Sequence, residues 1–340
     1  MQERDKQRPA MGKRDIILLV CIFYLLGIVT AIGIYLFWLG KTEAQAEEPE
    51  LYSELYVADV YIRGDRTEEE SKLSKEQNYQ LWEVTTVLRS ALYQYVKQTN
   101  KFPKDLSLLE RPFPYNYLSA IPQEPLTFSK VVADTYTGSG GWVYQPVTYA
   151  LEKTNEPMLK QMIQDILYPN IELGQVKFPD FDPLKIIVNK GKNELWLVSG
   201  KIVLQKYPVG LGKNGKTPEG SFQIEEKMMN PNGAFTPVKN NPYGNRALVF
   251  APSFAIHGTN NPESIGNNVS KGCIRMNNHE IAELYAKVPL YTMVEVKEDG
   301  PWAESLVRPL YKGSSNSENT FNQINRPKEE NYGVFYNWSG

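Results

Sequence analysis

The chain has 340 residues, enough for two domains of ordinary size. Hydrophobic residues make up 41% and aromatic residues 12% of it, which excludes an intrinsically disordered chain. The 37 Lys and Arg against 39 Asp and Glu give a net charge of −2, so the broad positive field of a nucleic-acid-binding protein is missing. Two cysteines and two histidines are too few for a Cys/His zinc site or a disulfide framework, and we expect neither a metal nor a cofactor.

A run of 24 uncharged residues, 16–39, predicts a transmembrane helix. At about 1.5 Å per residue it would span roughly 36 Å, enough for a hydrocarbon core of about 30 Å. A cleaved signal peptide has an apolar stretch of only about 7–15 residues, so we predict an uncleaved anchor. Five basic residues lie within 1–15, whereas Lys41 follows the run among several glutamates. The positive-inside rule therefore predicts a cytoplasmic tail at 1–15 and places residues 40–340 outside the cell membrane.

Residues 40–73 are rich in glutamate and predict a stalk. Ser74 and Gln77 then form a capping-box pattern, which predicts that a helix begins there. The helix is expected to end near Asn100, before Pro103. Its apolar residues recur at helical spacing, at Leu81, Val84, Leu88, Leu92 and Tyr95.

The next segment mixes prolines and aromatic residues with one predicted strand at 142–144. We therefore predict a compact α+β module over residues 74–175. It resembles the periplasmic part of pilin-like secretion proteins, but no prepilin cleavage motif precedes it. The module would act as a spacer or docking unit. We expect its tyrosines and tryptophans in the core rather than on a glycan-binding surface.

From residue 184 the pattern becomes all-β, with short β-branched and aromatic segments separated by Gly-, Asn-, Pro- and Lys-rich turns. The predicted strands lie in LKIIVN, ELWLVS, KIVLQKYPVG, GSFQIEE, ALVFAPSFAIHG and YTMVEVKE. One helix is predicted after Asn277. Its apolar face is expected to comprise Ile281, Leu284, Tyr285 and Val288. This β domain is expected over residues 184–297, followed by a polar tail over 298–340.

Cys273 is the one cysteine outside the predicted membrane segment, and it is either a small buried hydrophobic residue or a reactive nucleophile. A thiol with a pKa of about 8.5 is mostly protonated at neutral pH, so a useful nucleophile needs a neighbouring base or a positive field. His257, at the end of a predicted strand, could supply the base if the loop returns the chain, which spacing alone does not establish. Lys271 and Arg275 flank the thiol and would lower its pKa or bind an anionic substrate group.

Four ordered motifs surround these residues: TPEGSF at 217–222, NPYGNRAL at 241–248, IHGTNNP at 256–262 and SKGCIRM at 270–276. With these motifs, residues 184–297 strongly resemble the L,D-transpeptidase catalytic family, the YkuD-like enzymes of bacterial peptidoglycan. The resemblance favours a reactive Cys273. Together with the preceding segments, this predicts a multi-domain chain with an N-terminal transmembrane helix, a small α+β module and a mostly β L,D-transpeptidase catalytic domain with one short helix.

The resemblance implies a role for each residue that matches a family motif. Cys273 would be the nucleophile, and His257 would be the base that activates it. The third member of the triad would be the backbone carbonyl of Gly258, which holds the imidazole tautomer. The N–H groups of Gly272 and Cys273 would face the developing oxyanion.

The same motifs imply a substrate-binding region at Ser270, Lys271, Arg275 and Tyr243. Arg275 matches a family arginine and is open to two interpretations, a contact for a carboxylate or a structural partner of the loop. Lys271 stands where the family commonly has a histidine, which predicts altered substrate contacts or pH dependence rather than loss of the base. The other histidine, His279, is expected at the surface near a helix N-terminus, where the helix dipole opposes its protonation.

The implied substrate is a peptidoglycan stem tetrapeptide, attacked by Cys273 at the L-centre carbonyl of its third residue. Loss of the terminal D-alanine would leave a thioester, which an amine of a neighbouring stem would resolve into a 3→3 cross-link. If water resolves the thioester, the protein is an L,D-carboxypeptidase. A third alternative is a catalytically silent wall-binding protein that docks through residues 74–175, the segment that could also contact cell-wall assembly proteins.

Overall fold

The computed structural model describes residues 73–111, 115–148, 151, 155–172, 178–231 and 240–307. The predicted cytoplasmic tail, membrane segment and nearly all of the predicted stalk lie outside the described residues, as do residues 308–340 of the predicted tail. Within the described part of the chain, no helix combines the length and the apolar character needed to cross a membrane.

The long helix predicted after Ser74 is confirmed as α1, Lys75–Thr99. Ser74 Oγ accepts the Gln77 N–H at 3.1 Å, and the Gln77 side chain accepts the Ser74 N–H at 2.9 Å, which completes the predicted capping box. The helix ends at Asn100 in the left-handed conformation, where the Asn100 N–H donates to the Val96 carbonyl. All five predicted apolar positions are buried, so this face forms part of the core.

A small sheet and a second helix follow α1. Their bounds are β1 Val132–Ala133, β2 Trp142–Tyr144, α2 Glu156–Ile166 and β3 Leu167–Pro169, in the sheet order β1-β2-β3. The predicted strand at 142–144 is confirmed, and its buried Trp142 and Tyr144 donate side-chain hydrogen bonds to the carbonyls of Pro122 and Pro103. The proline-rich loop is thereby tied to the sheet. Most tyrosines and tryptophans of this segment are buried as expected, although Tyr115 and Tyr136 are exposed.

The remainder is mostly β with one α-helix among its described residues, as predicted. The strands are β4 Leu184–Asn189, β5 Glu194–Ser199, β6 Ile202–Pro208, β7 Leu211–Gly212, β8 Gly220–Gln223, β9 Glu226–Met229, β10 Arg246–Ala251, β11 Phe254–His257, β12 Asn268–Ser270, β13 Ile274–Arg275 and β14 Met293–Lys297. One sheet has the order β6-β5-β4-β14-β8, and another has the order β13-β11-β10-β9. A two-stranded pair joins β12 to β7.

The helix predicted after Asn277 is confirmed as α3, Asn278–Lys287, with the predicted apolar positions buried. The end of α3 is held by Lys227 of β9, whose buried ammonium donates to the carbonyls of Tyr285 and Val288 at 2.8 and 2.9 Å. A cation beside the last carbonyls of a helix is stabilised by the helix dipole. Lys227 therefore fixes α3 to the sheet that contains β11.

The outer face of β4 and β5 is covered by residues that the sequence pattern placed at the start of a polar tail. Trp302, in a short 3₁₀ helix at Pro301–Ala303, packs against Trp196 with ring centroids 5.4 Å apart. Val307 adds backbone hydrogen bonds to Val203 and Lys201. The packed structure thus continues to residue 307, because the exposed apolar face of the sheet needs a cover.

The N-terminal module and the β domain share one continuous cluster of buried apolar side chains. Side-chain hydrogen bonds also cross between them: for example, the Leu184 N–H donates to Ser90 Oγ at 3.0 Å, and Tyr79 donates to the Leu204 carbonyl at 3.1 Å. Helix α1 therefore packs as part of the same core as the first strand of the β domain.

We expect Trp302→Ala to lower the free energy of unfolding by about 1–3 kcal/mol, because it removes the aromatic contact with Trp196 and uncovers the sheet. Trp302→Phe should lose clearly less. Urea unfolding of the variants measures both values, and an unchanged midpoint for Trp302→Ala would contradict the packing of this segment.

Candidate active site

The predicted histidine ends strand β11, and the predicted cysteine directly precedes the neighbouring strand β13. Strands β11 and β13 are parallel, with Ile256 opposite Ile274 and His257 opposite Arg275. Both isoleucines are fully buried in the core, and side chains alternate between faces, so His257 and Arg275 share the opposite face. Cys273 directly precedes β13, and its sulfur lies 3.7 Å from the Ser253 carbonyl, just before the start of β11. The loop between the motifs therefore returns the Cys273 backbone to the side of the strand that ends in His257.

The His257 ring is held in one orientation by the backbone. Its Nδ1 forms a hydrogen bond of 2.5 Å with the Gly258 carbonyl. A carbonyl oxygen can only accept, so Nδ1 carries the proton of the neutral ring and the ring's lone pair lies on Nε2. The Tyr243 ring packs edge-on against the imidazole at 5.2 Å between centroids. The ring therefore presents a base at Nε2.

Asn278, the first residue of α3, fixes the backbone that carries this carbonyl. Its amide donates to the Thr259 carbonyl at 3.0 Å and accepts the Asn245 N–H at 3.3 Å. A Cβ on Gly258 or on Gly244 would collide with Asn278 Oδ1, so glycine is required at both positions. Sequence analysis did not single out Asn278, although its place beside the predicted N-cap was visible.

Burial keeps both reacting groups neutral at rest. It lowers the pKa of His257 to about 4, with the Arg275 charge acting in the same direction and the Gly258 hydrogen bond opposing it. Burial raises the pKa of the Cys273 thiol above its ordinary value, opposed by a hydrogen bond with the Ala255 backbone and by Arg275. At neutral pH the site therefore holds a thiol and a neutral imidazole rather than an ion pair.

The turn before the thiol is closed by Ser270. Its hydroxyl donates to the Cys273 carbonyl at 2.7 Å and accepts the Gly272 N–H at 3.0 Å. Gly272 has a φ of 144°, and a Cβ there would collide with the Phe254 ring. The N–H of Gly272, expected to face an oxyanion, is thus already donated to Ser270. Ser270 and Gly272 shape the turn, and the Cys273 N–H remains as the expected oxyanion donor.

Thr217 clamps the same turn from outside. Its buried hydroxyl donates to the Gly272 carbonyl at 2.9 Å and accepts the Gly212 N–H at 2.8 Å. Sequence analysis recorded Thr217 only as the first residue of the TPEGSF motif. Its role in holding the thiol turn depends on a partner 55 positions away, which the motif does not reveal.

The remaining predicted site residues differ in exposure. Lys271 and His279 are exposed, as expected for His279, and Tyr243 is partly buried beside His257.

The Arg275 backbone pairs with Gly210 in both directions, at 2.8 and 2.9 Å. Its Nε is buried and has no hydrogen-bond partner among the described residues. The backbone of Arg275 is therefore structural, while its positively charged guanidinium lowers the pKa of both His257 and Cys273.

The comparisons with known proteins identify the family that residues 183–296 resemble. Residues 183–296 match the family model described as the L,D-transpeptidase catalytic domain, YkuD. The candidate L,D-transpeptidase YkuD of Bacillus licheniformis is 37% identical over 135 residues, which cover 39% of this chain and 74% of that protein. The candidate L,D-transpeptidase YqjB of Bacillus subtilis is 37% identical over 145 residues, covering 39% and 81%. The candidate L,D-transpeptidase YkuD of Bacillus subtilis is 40% identical over 116 residues, covering 34% and 66%.

We expect His257 to titrate at about 4, well below the ordinary histidine value of about 6.5, because its ring is buried beside Arg275. The chain has two histidines, so His279→Gln leaves a single imidazole for NMR titration. Replacing Arg275 with Met in that background should raise the value. A midpoint near 6.5 for His257 would contradict the buried, neutral ring.

The same shift predicts how stability depends on pH. Between about pH 4 and 6.5 the unfolded chain holds a proton on His257 that the folded chain does not, so the folded state gains stability as pH rises through this window. The full contribution is about 3 kcal/mol and is lost as pH falls. Urea unfolding between pH 4 and 7 measures the slope. His257→Gln should reduce it, whereas His279→Gln should not change that contribution.

We expect Thr217→Ala to lower the free energy of unfolding by about 1–3 kcal/mol, because it leaves the Gly272 carbonyl and the Gly212 N–H without their buried partner. Thr217→Ser keeps the hydroxyl and should retain most of the stability. Urea denaturation of both variants tests this. Equal losses would show that the methyl group, and not the two hydrogen bonds, is what matters at this position.

Proposed function

The chain belongs to the L,D-transpeptidase catalytic domain family, and we propose that it transfers peptidoglycan stem peptides through a thioester on Cys273. The observation that carries the proposal is the pairing of β11, which ends in His257, with β13, which directly follows Cys273 and contains Arg275. The Gly258 carbonyl orients the imidazole so that the lone pair of the neutral ring lies on Nε2, which we assign as the base.

The first half-reaction cleaves the donor stem. As the Cys273 sulfur forms a bond with the L-centre carbonyl carbon of the third residue, its proton passes to His257 Nε2. The C–N bond to the terminal D-alanine then breaks, and His257 returns the proton to the leaving amine. A thioester on Cys273 and free D-alanine result. Because thiol and imidazole are both neutral at rest, the proton transfer accompanies the attack.

The second half-reaction forms the cross-link. An amine of a neighbouring stem loses a proton to His257 and attacks the thioester carbonyl. The C–S bond breaks, and the proton returns to the Cys273 sulfur, which restores the neutral thiol. The product is a 3→3 cross-link between two third residues. The two acyl transfers exchange one amide for another and need no external energy source.

Two groups near the thiol are suited to the charge that develops. We assign the oxyanion of each tetrahedral intermediate to the Cys273 N–H, since Gly272 already donates to Ser270. The Arg275 guanidinium, whose Nε has no hydrogen-bond partner in the described structure, is assigned to a carboxylate of the donor stem. Tyr243 packs on the imidazole and forms one wall of the donor site.

Lys271 does not argue against activity. It replaces a histidine that is common in the family, but its side chain is exposed. The hydrogen bond that orients His257 comes from Gly258, and the charge that acts on His257 is that of Arg275. The base is therefore held without help from position 271. This supports an enzyme over a silent wall-binding protein.

The proposed reaction also bears on location. Both stems lie outside the cytoplasmic membrane, so we propose that the β domain works there. The predicted membrane helix at 16–39, with its basic cytoplasmic flank, would anchor the chain in that orientation.

We expect a carbapenem, a class that the family accepts as an acyl donor, to add covalently to Cys273 of the full-length chain. Cys273→Ala should abolish the adduct, and His257→Ala should slow its formation by at least about 100-fold, because the buried thiol then lacks a base. His279→Ala is the matched control and should keep most of the rate. Intact-protein mass spectrometry measures the adduct. A folded wild-type chain without any adduct would favour the silent wall-binding protein.

The acceptor is tested separately with a disaccharide tetrapeptide. Transpeptidation predicts dimers with a 3→3 bond, identified by tandem mass spectrometry, and their yield should rise with acceptor concentration. Accumulation of tripeptide alone, at every acceptor concentration, would show that water resolves the thioester and that the protein is an L,D-carboxypeptidase.

A further inference from the structure

Three charged side chains form a buried ion cluster, which comprises Glu83, Glu283 and Lys287. Lys287 Nζ lies 2.8 Å from Glu83 Oε1 and 2.6 Å from Glu283 Oε1. The side chains of Lys287, Glu83 and Glu283 are only 3%, 5% and 17% exposed. Although burial opposes it, the two carboxylates raise the pKa of Lys287, so the ammonium stays charged.

The buried ion cluster joins two parts of the chain that are far apart in sequence. Glu83 lies on α1, outside the segment 183–296 that matches the family model. Lys287 is the last residue of α3, and 204 positions separate it from Glu83. Charges are expensive to bury, and removing one partner leaves the other uncompensated. The ion pair therefore ties the position of α3 to that of α1.

The other end of α3 lies at the candidate active site. Asn278 begins the helix, and its side chain bonds to Thr259 and Asn245 while packing against Gly258. Gly258 in turn holds His257 through its carbonyl. Asn278 and Lys287 are nine residues apart, about 13 Å along a helix. A displacement of the Lys287 end would therefore move the contact that fixes the orienting carbonyl.

We propose that Glu83 is a positioning residue for the acyl transfer, acting through Lys287 and α3 on the Gly258 carbonyl that orients His257. The inference rests on the proposed function and deepens it. Helix α1 then belongs to the catalytic unit, instead of serving only as a spacer between the membrane and the β domain. An error of about 1 Å in such a position is enough to slow a reaction substantially.

The test uses Glu83→Gln in the full-length chain, which keeps the size of the side chain and removes its charge. We expect the maximal rate of carbapenem acylation to fall about 10-fold with little change in the concentration for half-maximal rate. In the His279→Gln background, the hydrogen-bonded Nδ1–H of His257 should exchange faster with solvent, because the Gly258 carbonyl is less well placed. NMR measures this exchange.

Ser90→Ala is the matched control. It removes a contact between α1 and the β domain, the hydrogen bond to the Leu184 N–H, without touching α3. It should lower the unfolding midpoint but leave the acylation rate and the Nδ1–H exchange unchanged. If Glu83→Gln folds poorly, Glu83→Gln with Glu283→Gln and Lys287→Met removes all three charges of the buried ion cluster. This triple variant should regain stability and still acylate slowly.

The proposal is overturned if Glu83→Gln lowers the unfolding midpoint while the acylation rate and the exchange of the His257 Nδ1–H both stay at their wild-type values. In that case α1 only stabilises the domain. Failure of the proposed function is a separate result: a wild-type chain without acylation would remove the rate measurement. The Nδ1–H exchange would still show whether Glu83 positions His257.

Discussion

The proposed chemistry of this site depends on one hydrogen bond, from His257 Nδ1 to the carbonyl of the next residue. Because a backbone carbonyl orients the imidazole, the backbone at Gly258 has to be placed as accurately as a catalytic carboxylate would be. The surroundings meet this requirement by close packing. Asn278 bonds to Asn245, just before β10, and to Thr259, shortly after β11, and its contact with Gly258 leaves no space for a side chain there. A backbone carbonyl adds no net charge to the buried site, so it favours the protonated ring less than a carboxylate would, and burial keeps the imidazole neutral.

The same burial determines how the thiol can react. A thiolate–imidazolium pair would place two charges in a site that raises the pKa of Cys273 and lowers that of His257. The neutral pair avoids this cost, and in the proposed reaction the proton moves only when the substrate arrives. The turn that carries Cys273 has few degrees of freedom left, because Ser270 closes it and Thr217 clamps it to β7. The proposed reaction therefore depends on the fixed positions of Cys273 and His257 more than on any charge that these two groups carry at rest.

Helix α3 connects this site to the rest of the molecule. At its C-terminal end, Lys227 and Lys287 bind from two sides: Lys227 ties the helix to the sheet through two carbonyls, and Lys287 ties it to α1 through Glu83. Both lysines are buried, and each is stabilised by several oxygen atoms. The segment that matches the family model contains α3 and Lys227 but not Glu83. The surroundings of the catalytic domain in this chain therefore include a helix that the family model does not describe.

Local patterns in the sequence determined the elements and the identity of the candidate residues. The capping box of α1, the period of its apolar face and the β-branched segments after residue 184 each act within a few residues, and all were confirmed. The motifs likewise pointed to Cys273 and His257. Tertiary structure alone decided the shared face of β11 and β13, the clamp by Thr217, the packing of Trp302 and the partner of Glu83. Each of these depends on strand register or on a contact between distant segments. A charged residue such as Glu83 can be recognised as buried only when the residue that neutralises its charge is known.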